Sequence, residues 1–228
     1  MKDAEPLIPK YGGYRKLKSF RMAQLVHDVT VLFCDRFVEE QSRTHDHMLE
    51  TARIGAQKIA EGSVEGERAK KSELTLTKHA RTRLEELRRG YENFLRQQQL
   101  PLWDAADTRR AELVTRRPRS MDDVAQWVEW AEKNYGQNGP EGLNGLDARN
   151  GQEPEMSSIQ STECIPAEPS IPAEIMANGA ITLIAMALSL LDRQVSAQTR
   201  VVQHEARVAE KLRQRRLAEW PELLRSGA

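Results

Sequence analysis

His45-Asp46-His47 is the one compact cluster of metal-ligating residue types in the sequence. A tetrahedral metal site needs imidazoles that converge, and on a helix two residues two positions apart point to nearly opposite sides. With Ser42 and Thr44 beside it, the cluster reads as the polar start of a helix, and no metal is expected. His27, His79 and His204 are scattered and read as surface or half-buried residues. The carboxylate pairs Glu85-Glu86 and Asp122-Asp123 are neighbours in sequence only. General acid–base work needs carboxyl groups that face one another in perturbed surroundings, and nothing in the spacing argues for that. Gly62 and Gly66 lack the strand, lysine and serine context of a phosphate loop. No catalytic residue and no cofactor is expected, so the chain does not read as an enzyme. Its two cysteines, Cys34 and Cys164, do not make a disulfide framework and read as small apolar residues with free thiols.

The cations carry more information. Between Lys70 and Gln98, Lys70, Lys71, Lys78, Arg81, Arg83, Arg88, Arg89 and Arg96 outnumber Glu73, Glu85, Glu86 and Glu92. That face reads either as a nucleic-acid surface or as a solvated face laced with pairs such as Glu85–Arg89 and Glu92–Arg96. Near the C-terminus Arg200, His204, Arg207, Lys211 and Arg215 step by four, three, four and four. On a helix they form one narrow stripe, expected opposite Val202, Ala209 and Leu212 and able to track phosphates. The expected nucleic-acid-binding residues are therefore Arg200, Arg207, Lys211 and Arg215, with Lys70, Lys71, Lys78 and Arg81 as a second set.

The elements that must hold these residues are helical. Charged residues make up 30% of the 228 and aromatics are sparse, which suits helices better than sheets. The expected class is all-α, an antiparallel up-and-down four-helix bundle with an inserted linker and a C-terminal helical extension. Residues 1–13 read as a flexible entry, 14–103 as the first three helices and 104–135 as a short helical insertion. Residues 136–172 read as an acidic Gly/Pro-rich linker, and 173–228 as the fourth helix with its extension. Leu17–Glu40 carries Leu17, Phe20, Val29, Leu32, Phe33 and Phe37 at helical spacing, with Met22, Leu25 and Val26 between them. Ser42–Glu61 repeats the period with Met48, Ala52, Gly55, Ala56 and Ile59, small residues that admit a neighbouring helix, and Gly62 reads as its cap. Lys70–Gln98 has the clearest seam: Leu74, Thr77, Ala80, Leu84, Leu87, Tyr91 and Phe94 step by three and four until Pro101.

Asp104–Leu113 and Met121–Asn134 read as short helices, the second capped by Ser120 with Val124, Trp127, Val128 and Ala131 as its apolar face. The segment from Gly136 to Ile175 holds seven acidic residues against Arg149 alone, so the rest of this formally neutral chain is net positive. It reads as mobile and protease-sensitive. From Ala173, the residues Ala177, Ile181, Ile184, Leu188, Leu191 and Val195 continue the step, and Val202, Ala209 and Leu212 extend it towards Trp220-Pro221. That helix should outrun the bundle, its extra seam covered by the Met121–Asn134 helix or by a second subunit. The stretch Ile181–Leu191 is shorter than the ~20 residues a bilayer needs, and the first residues lack an apolar signal-peptide core. A cytoplasmic protein is expected.

Tyr14-Arg15-Lys16-Leu17, Ile59-Ala60-Glu61-Gly62-Ser63, and Ala80-Arg81 followed by Leu84-Glu85-Glu86-Leu87 resemble the four helix bundle protein family, also called the 23S rRNA intervening-sequence proteins. Leu190-Leu191-Asp192-Arg193-Gln194 resembles the C-terminal suffix domain attached to some members. The acidic linker matches no pattern of that family. The resemblance implies an antiparallel four-helix bundle and supplies no active site. Relatives of the family include the accessory variability determinant proteins of diversity-generating retroelements, pentameric barrels with a basic surface that bind nucleic acid and a reverse transcriptase. By resemblance, the expected partners are RNA or DNA, a reverse transcriptase and further copies of the chain in a pentamer.

Together these readings predict a non-catalytic, oligomeric helical bundle that binds nucleic acid as an accessory protein of a reverse-transcriptase or RNA-linked system. The alternative is a structural or protein-interaction module whose charges only keep it soluble.

Overall fold

The computed structural model of the protein describes residues 13–66, 68–134 and 171–225, with side chains to Arg216. Of the stretch read as a linker, residues 136–170, with Cys164, lie outside the described residues; Ile171 and Pro172 belong to α6 instead, and Glu174 of the acidic segment is buried in that helix. All regular structure among the described residues is helical. After a 3₁₀ turn at Gly13–Lys16 come α1 (Lys18–Phe37), α2 (Arg43–Glu65), α3 (Lys70–Gln97), α4 (Thr108–Arg116), α5 (Met121–Lys133) and α6 (Ile171–Arg225).

The four long helices are joined by packing. α2 lies against α1 and α3, and α6 lies against α3 and α1. The three-and-four seam of α3 is buried as its spacing predicts, from Leu74 through Leu84 and Leu87 to Tyr91 and Phe94. Small residues bring α2 close to α3: a Cβ added at Gly55 would stand 3.0 Å from Leu84 Cδ2. In α1 the fully buried face is Ala23, Leu25, Val26, Val29, Phe33 and Cys34, while Leu17, Phe20, Leu32 and Phe37 are only partly covered. Burial pushes the Cys34 thiol up to about 12, with the Asp35 carboxylate adding to it, so the residue behaves as a small apolar core group. Tyr91 donates to Thr30 Oγ1 at 3.0 Å inside the core, and Thr30 in turn donates to the Val26 carbonyl.

Several boundaries differ from the sequence expectation. α1 stops at Phe37, where Val38 turns extended. α2 runs four residues past Glu61, and Gly66, not Gly62, is its C-cap, in a right-handed conformation. Gly62 is a buried contact position instead: an added Cβ would meet Leu76 Cβ at 3.3 Å and the Glu73 carbonyl at 3.4 Å. α4 begins at Thr108 because Asp107 caps it, accepting from the Arg109 amide at 2.9 Å. α5 starts as predicted, with Ser120 and Asp123 closing a reciprocal capping box. The α6 backbone continues through Pro221 to Arg225.

Between residues 173 and 184 α6 is buried on every side. α4 and α5 lie over the face that the long helices leave open. Trp127 of α5 presses so closely that a Cβ on Gly179 would stand 2.5 Å from its ring. α6 is, by length and composition, long and apolar enough to cross a membrane, with a mean hydropathy of 1.7 over its richest window. The Ile181–Leu191 stretch therefore understates its apolar length, but 78% of that window is buried inside the protein.

A buried polar cluster anchors the insertion. The Arg109 guanidinium reaches Asp107 Oδ2 at 2.8 Å, stands 3.6 Å from Glu174 and stacks 3.9 Å above the Trp103 ring. Trp103 donates its indole N–H to Glu174 at 2.7 Å, and Asn178 accepts from the Trp103 amide. Burial of Asp107 favours its neutral form, but the bonds from Arg109 outweigh it and hold the carboxyl below its ordinary value. Its stabilisation is thus present above the ordinary aspartate range of about 4 and is lost as pH falls through the lowered folded value. The melting temperature of an Asp107→Asn variant should lie below the parent's at neutral pH and converge on it in acid. A gap that persists unchanged at low pH would assign the effect of Asp107 to something other than its charge.

Candidate nucleic-acid interface

The His45-Asp46-His47 cluster is the first turn of α2, capped by Ser42 accepting from the His45 amide at 3.1 Å. His45 turns inward and is buried, with neither ring nitrogen hydrogen-bonded. His47 points outward and stands 3.3 Å from Glu86 of α3. Among the described residues no three His, Cys, Asp or Glu side chains converge on a point that would hold a metal ion.

The cations expected on α3 divide into two kinds. Arg81 is bound across the helix interface to Asp192 of α6 at 2.6 Å, which raises its guanidinium further above its ordinary value. Lys70 pairs with Glu73, and Arg83 with Glu86. The intrahelical pairs differ from those expected. Glu85 takes Arg81 and Arg88, Glu92 takes Arg88, and Arg96 donates to Asn93. Lys71 and Lys78 are exposed and enter no ion pair among the described residues. Half of the α3 cations are thus held by carboxylates, Arg81 across to α6 and Lys70, Arg83 and Arg88 within α3.

The α6 cations are different. After Gln198, which donates to Glu73 of α3 at 2.9 Å, the helix leaves its neighbours, and from Gln203 to Arg216 every residue is exposed. This arm, residues 199–225, extends about 40 Å beyond the last helix contact. Arg200, Arg207, Lys211 and Arg215 enter no ion pair among the described residues; the arm's one pair, Arg213–Glu210 at 3.0 Å, lies to the side of their stripe. Helical geometry keeps Arg200, His204, Arg207, Lys211 and Arg215 within a sector of about 80°. Val201, Val208 and Leu212 are 42–48% exposed. They adjoin the stripe rather than oppose it, because their helical angles fall next to those of His204 and Arg215. α5 does not cover this row. Trp127 fixes it against Gly179, near the far end of α6.

A second basic group, which sequence reasoning missed, sits where the arm leaves the protein. Ser19 near the start of α1 donates to Gln194 at 2.8 Å, and Gln198 meets the first turn of α3. The α1 entry, the α2–α3 turn and the root of the arm therefore share one end of the molecule. Arg15, Lys16, Lys18 and Arg21 are exposed there, as are Arg68 and Lys71 on the turn. Of the nearby carboxylates, Glu61 and Glu73 are held by Lys58 and Lys70, while Glu65 lines the groove between the cations. An open groove of about 830 Å³ lies between the two cation groups, lined by Tyr14, Val64, Glu65, Lys71 and Leu76 among others. Lys71 and Arg15 are 56 positions apart in the chain, so no local pattern links them.

The geometry defines a class: an all-helical protein with a group of exposed cations at one end and a stripe of them on the helix that projects from that end. Comparison with protein families, with curated proteins and with solved structures finds no match for the chain.

Proposed function

We propose that this chain is a non-catalytic, cytoplasmic protein whose four long helices form an up-and-down bundle and which binds nucleic acid through the α6 arm. The bundle reading is supported by α1, α2, α3 and α6 each packing against two of the others. One observation carries the functional reading. The stripe cations Arg200, Arg207, Lys211 and Arg215 enter no ion pair among the described residues, while Lys70, Arg81, Arg83 and Arg88 of α3 are held by carboxylates. Unpaired arginines on an exposed helix gain most from a polyanion, because each phosphate contact releases condensed counterions. The resemblance of the Tyr14–Leu17 and Ile59–Ser63 segments to the four helix bundle protein family points the same way, towards an accessory role beside a reverse transcriptase or RNA-linked machine.

A further element of the reading, carried by the resemblance, is self-association into an oligomer such as a pentamer, with each arm left free of the subunit contacts. A ring would repeat the stripe and raise a binding that about four phosphate contacts leave weak at physiological salt. Replacing Arg200, Arg207, Lys211 and Arg215 together by Gln should abolish binding to both structured RNA and duplex DNA, with helicity and oligomer size unchanged. A titration across a salt series, with light scattering on the same sample, reads this. Retained binding would transfer the site to Lys71, Lys78 and the α3 face. No binding by the parent at low salt would leave the interaction-module reading, and a monomeric parent would remove the argument from repetition.

A further inference from the structure

We infer, resting on the nucleic-acid reading above, that the ligand is duplex DNA, with the α6 arm lying in its major groove and the basic end of the bundle on the flanking phosphates. Shape is the first argument. From Gln203 to Arg216 no other described element lies alongside α6, so this part of the arm is a rod about 10–12 Å across including its side chains. The major groove of B-form DNA is about 12 Å wide and admits such a rod, whereas the deep, narrow major groove of A-form RNA does not.

Chemistry is the second argument. From Thr199 to Arg216 there is no phenylalanine, tyrosine or tryptophan and His204 is the one aromatic ring, so this stretch offers no row of rings for successive bases of a single strand. What it offers is a polar sector. Arg200, Arg207 and Lys211 can donate to phosphates or to guanine edges, and Gln203, next to Arg207 around the helix, can pair with an adenine edge. From Arg200 to Arg215 the sector runs about 22 Å, the rise of about six base pairs.

The third argument is placement. The arm does not stand on a neutral surface. Its root lies at the end of the molecule that also carries Arg15, Lys16 and Lys18 of the α1 entry and Arg68 and Lys71 of the α2–α3 turn, all exposed and in no ion pair among the described residues. A duplex taken along the arm meets these cations where the arm enters the groove, and its backbone charge is answered at a second point. A-form RNA, which keeps the arm out, would reach only one of the two cation groups at a time.

The test uses the full chain and four probes at equal salt: a DNA duplex, the RNA duplex of matching sequence, the corresponding single strand, and the DNA duplex with glucosylated hydroxymethylcytosine, whose sugars fill the major groove. The plain DNA duplex should bind about tenfold or more tightly than the other three. Netropsin, which occupies the minor groove, should leave that binding unchanged. Equal or tighter binding of the RNA duplex or the single strand overturns the assignment to duplex DNA while leaving the nucleic-acid reading in place. Undiminished binding of the sugar-filled duplex, or displacement by netropsin, overturns groove entry. No binding of any probe at low salt overturns both readings.

Discussion

Replacing Leu84 by aspartate should unfold the protein at room temperature. Leu84 is fully buried midway along α3, packed on Gly55 of α2 so closely that a Cβ added there would stand 3.0 Å from its Cδ2. Truncating such a leucine to alanine costs about 2–5 kcal/mol. Aspartate adds a carboxylate that must enter the core charged and unpaired, or protonated at the expense of its own pKa. The sum approaches the roughly 5–15 kcal/mol that separates a folded domain from its unfolded chain. Circular dichroism of Leu84→Asp should therefore show lost helicity without added denaturant, while Leu84→Met, which keeps the volume, melts within a few degrees of the parent. An aspartate variant that melts like the parent would show that Leu84 does not face the core and that the α3 register is wrong.

Removing the Arg109 side chain should cost almost as much, by a different route. Its guanidinium is 7% exposed and neutralises Asp107 and Glu174, which are themselves 13% and 3% exposed. It also covers the Trp103 ring, so the loss is of packing as well as charge. Breaking a buried ion pair from one side costs about 3–5 kcal/mol, because the remaining charge stays buried without its counterpart. Arg109→Leu should lower the melting temperature steeply, and adding Asp107→Asn and Glu174→Gln in the same chain should restore much of the loss. The recovery separates charge from shape. If the triple variant is no better than the single one, the stacking on Trp103 and not the ion pairs holds the insertion in place. If Arg109→Leu melts like the parent, the cluster does not anchor the insertion.

Much of the core was legible in the residues. Met48, Ala52, Gly55, Ala56 and Ile59 on α2, and the α3 seam from Leu74 to Phe94, are buried as their spacing predicts. A period of 3.6 residues is enforced by the helix itself, so a one-sided core must leave it in the sequence. Ser120 was recognisable as a cap because its partner Asp123 is three residues away and the whole motif is local. Gly62 was misread for the complementary reason. A glycine near the end of an apolar run looks like a terminator, but the atoms that require it, Leu76 Cβ and the Glu73 carbonyl, belong to another helix. The start of α4 turned on a competition between Asp104 and Asp107, two residues equally able to cap, which Arg109 decides by binding Asp107 twice.

The site divides along the same line. The Arg200–Arg215 stripe was legible because one helix carries all of it, and spacing along a helix translates directly into position around it. What its charges are free to do was not legible. Lys71 and Arg81 look alike in the sequence, yet Asp192, 111 positions away from Arg81, binds it and Lys71 enters no ion pair among the described residues. The exposure of the arm depends equally on where the neighbouring helices end. By itself the sequence determined the helical class, the buried faces of α2 and α3 and the alignment of the arm's cations, because each follows from periodicity within one segment. Only the tertiary structure decided that α4 and α5 enclose α6, that Arg109 is buried between two carboxylates, and that Arg15, Lys16 and Lys18 stand with Lys71 at the root of the arm. Those relations join residues tens of positions apart, and only the packing of helix on helix brings them into contact.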